Sequence, residues 1–241
     1  KGHISLIKRA KKINNKTLVS IYVNPKQFSR KDDYKKYPRN LQNDIKILQK
    51  LKINYLYLPN NKDIFNFKTK NKIYLHRFSQ KLCGKFRKGH FYGVLNVVNR
   101  FLEIIKPKYI LLGLKDFQQL TLIEKHILRN KINTKVVSCK TIREKNGVAC
   151  STRNFNLSNK QLKIATKVYK YLFTIKRNTK KSIKLFNSSI TKKKLINLGV
   201  SKVDYLNILN LKKLKKPKNK KENYNIFVAY YLNKTRLIDN F

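Results

Sequence analysis

The stretch Gly113-Leu114-Lys115-Asp116-Phe117-Gln118-Gln119 constrains this chain most. The apolar run Tyr109-Ile110-Leu111-Leu112 leads into it, and an apolar-periodic run from Leu120 to Leu128 follows. That order predicts a strand, a tight glycine turn, and a helix start carrying a charged pair and two amides. In an α/β sheet, the carboxyl end of a strand and the first turn of the next helix line the ligand crevice. Backbone N–H groups and the positive helix end there favour phosphate, and Lys115 adds a point charge.

The chain before this turn alternates in type. Ile4, Ile7, Ala10 and Ile13 fall at helical spacing, which places His3 in a helix N-terminus. Thr17 to Val23 reads as a strand that ends abruptly, because Pro25 forces Asn24 out of helical geometry. Asn24 and Gln27 then lie at a strand's carboxyl end. For Asn24, capping the turn and facing a ligand are equally good readings. Ser29 to Arg39 is a charged loop, Leu41 to Leu51 a helix, and Ile53 to Leu58 a strand closed by Pro59. An α-β-α-β order argues for parallel βαβ units.

Asn60 to Gln80 is weakly periodic, with β-like pieces such as Lys72-Ile73-Tyr74-Leu75. Gly84 to Phe91 reads as a glycine-bracketed loop carrying Arg87 and His90, either a plain basic loop or a binding one, and a helix follows from Val94 to Ile105. Beyond the central turn, Thr134 to Ser138 is a strand and Asn146-Gly147 a turn. In Ser151-Thr152-Arg153-Asn154, two hydroxyls and a guanidinium stand ready for phosphate oxygens. After Leu157, glycine almost vanishes and lysine rises, so a domain boundary is expected near Ser158. Helices alternating with short strands should follow, including Asn225 to Tyr231.

Net charge is the loudest bulk property, at +47, and it invites a nucleic-acid reading. The lysines are spread along the chain, and asparagine, isoleucine and tyrosine are abundant with them, as in a coding sequence biased toward A and T. The densest run, Leu211 to Lys221, has seven lysines and no aromatic on which a base could stack. Nucleic acid is therefore not the expected partner. Three widely spaced cysteines, Cys83, Cys139 and Cys150, read as reduced thiols of a cytoplasmic protein, and no apolar run is long enough to span a bilayer.

Together, Gly2-His3, Val23-Asn24-Pro25-Lys26-Gln27-Phe28, Tyr37-Pro38-Arg39, Arg87-Lys88-Gly89-His90-Phe91, Gly113 to Gln119, Ser151 to Asn154 and Arg236-Leu237-Ile238-Asp239-Asn240 resemble the pantothenate synthetase (pantoate–β-alanine ligase) family, in matching order. That resemblance implies a Rossmann-like parallel sheet with helices on both faces (residues 1–157) and a smaller α+β lid (158–241). It also implies a homodimer that condenses pantoate with β-alanine, using ATP and Mg²⁺, through a pantoyl-adenylate. By residue, it implies catalytic roles for His3, Lys115, Ser151 and Arg153. ATP contacts fall to Gly2, His3, Gly113, Leu114, Lys115, Asp116, Ile142, Cys150, Ser151, Thr152 and Arg153. Substrate contacts fall to Gln27, Gln119, Asn24, Arg87 and His90, and Asp44 lies near the metal position. The family also has a Met-Gly-x-Leu-His segment and a first strand ahead of Gly2, and this sequence starts after them; a natural protein without them would bind ATP badly, which makes a non-catalytic relic the alternative reading. Leu114 replaces an acidic residue of the family pattern, Thr152 a serine, and Lys88 a proline.

Overall fold

The computed structural model describes residues 1–27, 34 and 40–241. The expectations placed on Phe28, on the charged loop to Arg39 and on Tyr37-Pro38-Arg39 lie outside the described residues. The chain divides into two compact units, Lys1–Lys140 and Thr141–Phe241.

The first unit is α/β. Helix α1 (Gly2–Ile13) precedes β1 (Leu18–Ser20), and a 3₁₀ turn covers Pro25–Gln27. Then come α2 (Leu41–Lys50), β2 (Tyr55–Tyr57), α3 (Asn61–Phe65), a 3₁₀ turn Arg77–Gln80, α4 (Cys83–Phe86) and α5 (His90–Ile105). Strand β3 (Tyr109–Gly113) passes through a 3₁₀ turn (Leu114–Asp116) into α6 (Phe117–Arg129), and β4 (Lys135–Cys139) closes the unit. The strands pair in parallel, β1 with β2 from Leu18↔Tyr55 to Ser20↔Tyr57 and β3 with β4 from Tyr109↔Lys135 to Gly113↔Cys139. Parallel pairing follows from the helical crossovers between the strands. Ile64, Phe78, Leu95, Leu122 and Ile123 are buried in this unit.

Local chemistry sets the element ends. Asn60 accepts from the Lys62 and Asp63 N–H groups while Asp63 reaches back to the Asn60 N–H, a capping box that starts α3. Helix α5 stops at Lys106, in the left-handed region at φ 47°, just before Pro107. Two segments differ from the sequence reading. Residues 72–75 form no strand: the Tyr74 N–H donates to His126 Nδ1, and just before the stretch the Lys70 and Asn71 N–H groups donate to Glu103. Nor is Gly84 to Phe91 one loop: it splits between α4 and the start of α5, and Gly89 supplies the left-handed link at φ 76°.

In the second unit, a 3₁₀ turn (Thr152–Asn156) leads to α7 (Asn159–Lys181), a 3₁₀ turn (Ile183–Leu185) and α8 (Ser188–Asn197). A three-stranded antiparallel sheet completes it: β5 (Lys202–Asn210), β6 (Tyr224–Leu232) and β7 (Thr235–Asn240), with β6 in the middle. Thus the strands here are long and consecutive rather than short and interspersed. Val168, Leu172, Leu195, Leu206, Ile226, Val228 and Leu232 form the core between α7, α8 and the sheet. The Leu211 to Lys221 run connects β5 to β6, and its lysines are exposed. No described helix is long and apolar enough to cross a membrane.

Candidate active site

Gly113 is the last residue of β3, and its backbone is extended, at φ −76° and ψ 132°, so the turn itself is made by Leu114–Asp116. A Cβ added at Gly113 would meet nothing within 4 Å. Neither backbone strain nor packing within the chain requires glycine there. Lys115 is half-buried, and Asp116 is exposed at the N-cap of α6 without bonding a helix N–H through its side chain.

The two glutamines that follow differ sharply. Gln118 is buried, and its Nε2 donates to the carbonyls of Phe78 and Lys81, both at 2.7 Å, while its Oε1 accepts from the Cys83 N–H at 3.0 Å. It pins the 78–83 segment to α6. Gln119 is half-exposed, and its amide has no hydrogen-bond partner among the described residues. Helix α1, carrying Gly2 and exposed His3 in its first turn, packs against β3.

A second cluster forms around the Pro25–Gln27 turn. Buried Asn24 donates through Nδ2 to the Gly93 carbonyl at 3.0 Å and accepts the Lys26 N–H at 3.0 Å, so its amide holds the turn against α5. Arg87 Nη1 donates to His90 Nε2 at 2.9 Å, which leaves the ring proton on Nδ1 to donate to the Gln27 carbonyl at 2.7 Å. Arg87 Nη2 reaches the same oxygen at 3.5 Å. Asn24, Arg87 and His90 thus fix the backbone that presents Gln27. Lys88, exposed between them, takes no part in these bonds. Gly93 is the close-approach residue: a Cβ there would sit 2.3 Å from the Lys26 carbonyl oxygen.

In the second unit, residues 142–150 form a hairpin. Cys150 N–H donates to the Ile142 carbonyl at 2.9 Å, Arg143 bridges to Ala149, and Gly147 turns at φ 89°. Ser151 caps the following 3₁₀ turn, its Oγ accepting the Arg153 N–H at 3.2 Å. Thr152 and Arg153 are exposed, and the Arg153 guanidinium has no hydrogen-bond partner among the described residues. Asn154 closes the loop through Nδ2 to the Ala149 carbonyl at 3.0 Å, and its Oδ1 is buried without a partner.

The pattern described as "Pantoate-beta-alanine ligase" matches residues 1–241. The pantothenate synthetase of Francisella tularensis subsp. novicida (strain U112) is 39% identical over 244 residues, which span 100% of this chain and 84% of that protein. The chain belongs to the pantoate–β-alanine ligase family. Solved ligases of the family share its fold. A Francisella tularensis pantoate–β-alanine ligase complexed with "Beta-gamma ATP and Beta-alanine" superposes with TM-score 0.81 at 40% identity, covering 100% of this chain and 84% of that one. A pantothenate synthetase from Thermus thermophilus superposes with TM-score 0.87 at 28% identity, covering 100% and 88%. Membership makes the chain a carbon–nitrogen ligase of α/β fold with a C-terminal antiparallel sheet.

Several polar residues that organise the first unit were not singled out from the sequence. Gln118 stands beside Gln119 in the turn motif and drew no role from the sequence; its burial shows it bonded to the backbone instead. Half-buried Glu103 and Asn71 form a network with buried Asn99 and His126: Glu103 accepts from the Lys70 and Asn71 N–H groups and from the Asn71 and Asn99 amides. Burial pushes its carboxyl up, but these four donors outweigh burial and leave it below the usual range. Fully buried His126 donates from Nε2 to Asn99 Oδ1 at 3.0 Å and accepts the Tyr74 N–H at Nδ1. Burial lowers its affinity for a proton, with Glu103 pulling the other way. A polar residue on an otherwise apolar helix face was the available hint. Among the described residues, no group of three or more His, Cys, Asp or Glu side chains could hold a metal, and Asp44 is exposed in the first turn of α2. These donors do not build a Mg²⁺ cage.

Proposed function

We propose that the chain condenses pantoate with β-alanine at the expense of ATP through an acyl-adenylate. The pantoate carboxylate attacks the α-phosphorus, and the bond to pyrophosphate breaks with its electrons leaving on pyrophosphate. The β-alanine amine then attacks the acyl carbon, the carbon–oxygen bond to AMP breaks, and the amine proton is released. Two anions must meet in the first step, so the site needs fixed cations and donors around the phosphates.

Lys115, Ser151 and Arg153 supply that set, with His3 as acid/base and phosphate contact. Gly2, Gly113 to Asp116, Ile142 and Cys150 to Arg153 take the nucleotide. Gln27 and Gln119 orient pantoate, and Asn24, Arg87 and His90 hold Gln27 in place for it. The observation that carries this reading is a contrast in commitment. Gln118 and Arg143 are bonded within the chain, whereas the Gln119 amide and the Arg153 guanidinium have no partner among the described residues. The open space at Gly113 beside Lys115 agrees with a phosphate passing close to backbone.

Mg²⁺ fits as an ion carried on the ATP phosphates, with Asp44 as the chain's contribution, since Mg²⁺ keeps most of its waters and needs one or two carboxylates. In functional terms, residues 1–157 form the Rossmann-like ATP- and pantoate-binding domain and 158–241 the lid, a division by ligand contact rather than by packing. A cytoplasmic homodimer completes the reading. Pantoate-dependent exchange of labelled pyrophosphate into ATP tests it. The wild type exchanges only when pantoate is present, and Lys115→Ala loses at least about 100-fold. Exchange indifferent to pantoate, or undiminished in Lys115→Ala, sinks the mechanism.

A further inference from the structure

The hairpin 142–150 is tied to the very end of the chain. Arg143 makes a two-pronged bond to Asp239 of β7, Nη1 to Oδ2 at 2.7 Å and Nη2 to Oδ1 at 3.0 Å. The same guanidinium donates to the Asn240 carbonyl at 3.1 Å and, within the hairpin, to the Gly147 carbonyl at 3.1 Å. It lies 5.0 Å from the Tyr169 ring and 5.2 Å from the Phe241 ring, cation over π on each. The Tyr169 ring also seats the turn: a Cβ on Gly147 would come within 2.0 Å of it. Only 10% of the Asp239 side chain is exposed, so this fork is shielded from solvent and is stronger than a surface ion pair.

We propose that the Arg143–Asp239 fork is a positioning device for the nucleotide. It rests on the assignment above of Ile142 and Cys150 to Arg153 to ATP. The fork fixes the hairpin, and the hairpin ends in the phosphate loop. Arg143 follows Ile142 directly. Cys150, bonded back to Ile142, precedes Ser151, and Asn154 laces the loop to Ala149. Displacing the hairpin therefore moves the Ile142 backbone and the Ser151-Thr152-Arg153 donors together. Gln27 and Gln119 belong to the first compact unit, whereas the bonds of the Arg143 guanidinium stay within the second. Asp239 and Arg143 are positioning residues, not catalytic ones, and their loss should be felt in ATP affinity specifically.

The test uses the full chain. ATP is titrated calorimetrically into wild type, Asp239→Asn, Arg143→Lys and Leu232→Ala, the last a destabilised control in the same sheet, buried and paired with Thr235, four residues along β7 from Asp239. Melting temperature and the KM for pantoate are measured alongside. Asp239→Asn keeps the shape and removes the charge, and Arg143→Lys keeps the charge and removes the fork. Each is expected to weaken ATP binding about tenfold, with pantoate KM changed less than about twofold. Asp239→Glu, which restores a carboxylate, recovers part of the loss. Leu232→Ala lowers the melting temperature without changing ATP affinity. Wild-type ATP affinity in both fork variants overturns the proposal. So does a parallel loss of ATP and pantoate affinity that tracks melting temperature in all variants. If the wild type binds ATP but shows no pantoate-dependent exchange, the functional reading fails while the titration still decides the fork.

Discussion

Substituting Gly93 by alanine should damage pantoate use without touching a substrate contact. An added Cβ would lie 2.3 Å from the Lys26 carbonyl oxygen, 2.7 Å from its carbon and 3.0 Å from the Gln27 Cα. Ordinary contact begins at 3.4 Å, so helix α5 and the Pro25–Gln27 turn must part by about 1 Å. Two bonds oppose that movement, Asn24 Nδ2 to the Gly93 carbonyl at 3.0 Å and His90 Nδ1–H to the Gln27 carbonyl at 2.7 Å. Overpacking of this kind costs about 1–3 kcal/mol of stability. A 1 Å displacement of a positioning side chain costs on the order of 100-fold in rate. Chemical denaturation and pantoate-dependent exchange measure the two effects. The expected result is a folded Gly93→Ala variant with kcat/KM for pantoate about 100-fold lower and KM for ATP nearly unchanged. A stable variant that handles pantoate like wild type would refute the claim that this close approach presents Gln27. Gly113→Ala is the informative contrast, because its Cβ meets no atom of the chain within 4 Å. Stability should hold, and any loss of activity reports on the nucleotide alone.

Other expectations follow from the same geometry. Gln118→Ala removes three hydrogen bonds, to the carbonyls of Phe78 and Lys81 and from the Cys83 N–H, costing about 2–4 kcal/mol in urea unfolding. Gln119→Ala leaves stability within about 0.5 kcal/mol and raises the pantoate KM; equal stability losses in the two variants would overturn the distinction. Because the folded chain holds a proton on His126 less tightly than the unfolded chain does, the unfolded state takes up more protons below about pH 6.5. The stability His126 contributes is therefore complete above that value and falls as pH drops toward the folded-state pKa, by up to about 1.4 kcal/mol per pH unit. His126→Gln should flatten the unfolding free energy between about pH 6.5 and 5, and an unchanged slope would remove His126 as its source.

The α/β class, the helix–turn order around Gly113 and the candidate residues were legible in the chain because each rests on local signals. These were apolar runs, glycine and proline punctuation, and polar groups next to them. Residues 72–75 were not legible. Their β-like pattern loses to side chains far along the chain, His126 taking the Tyr74 N–H and Glu103 those of Lys70 and Asn71 just before. The start of α5 at His90 likewise depended on Gly89 adopting a left-handed backbone, which a glycine permits but does not announce.

By itself the sequence determined which groups were available: Lys115, two adjacent glutamines, a Ser-Thr-Arg-Asn loop and an ordered set of family motifs. Which of them are free to act was decided by tertiary structure. Gln118 and Gln119 are chemically identical and adjacent, yet one is spent on three backbone groups and the other is not. Arg143 and Arg153 divide in the same way, one forked onto Asp239 and the other exposed. A buried polar group must find a partner within the chain, whereas one at the surface can wait for a ligand. Burial depends on contacts between residues far apart in sequence, so the family motifs could name Gln119 and Arg153, but the commitment of Gln118 and Arg143 within the chain came only from the fold.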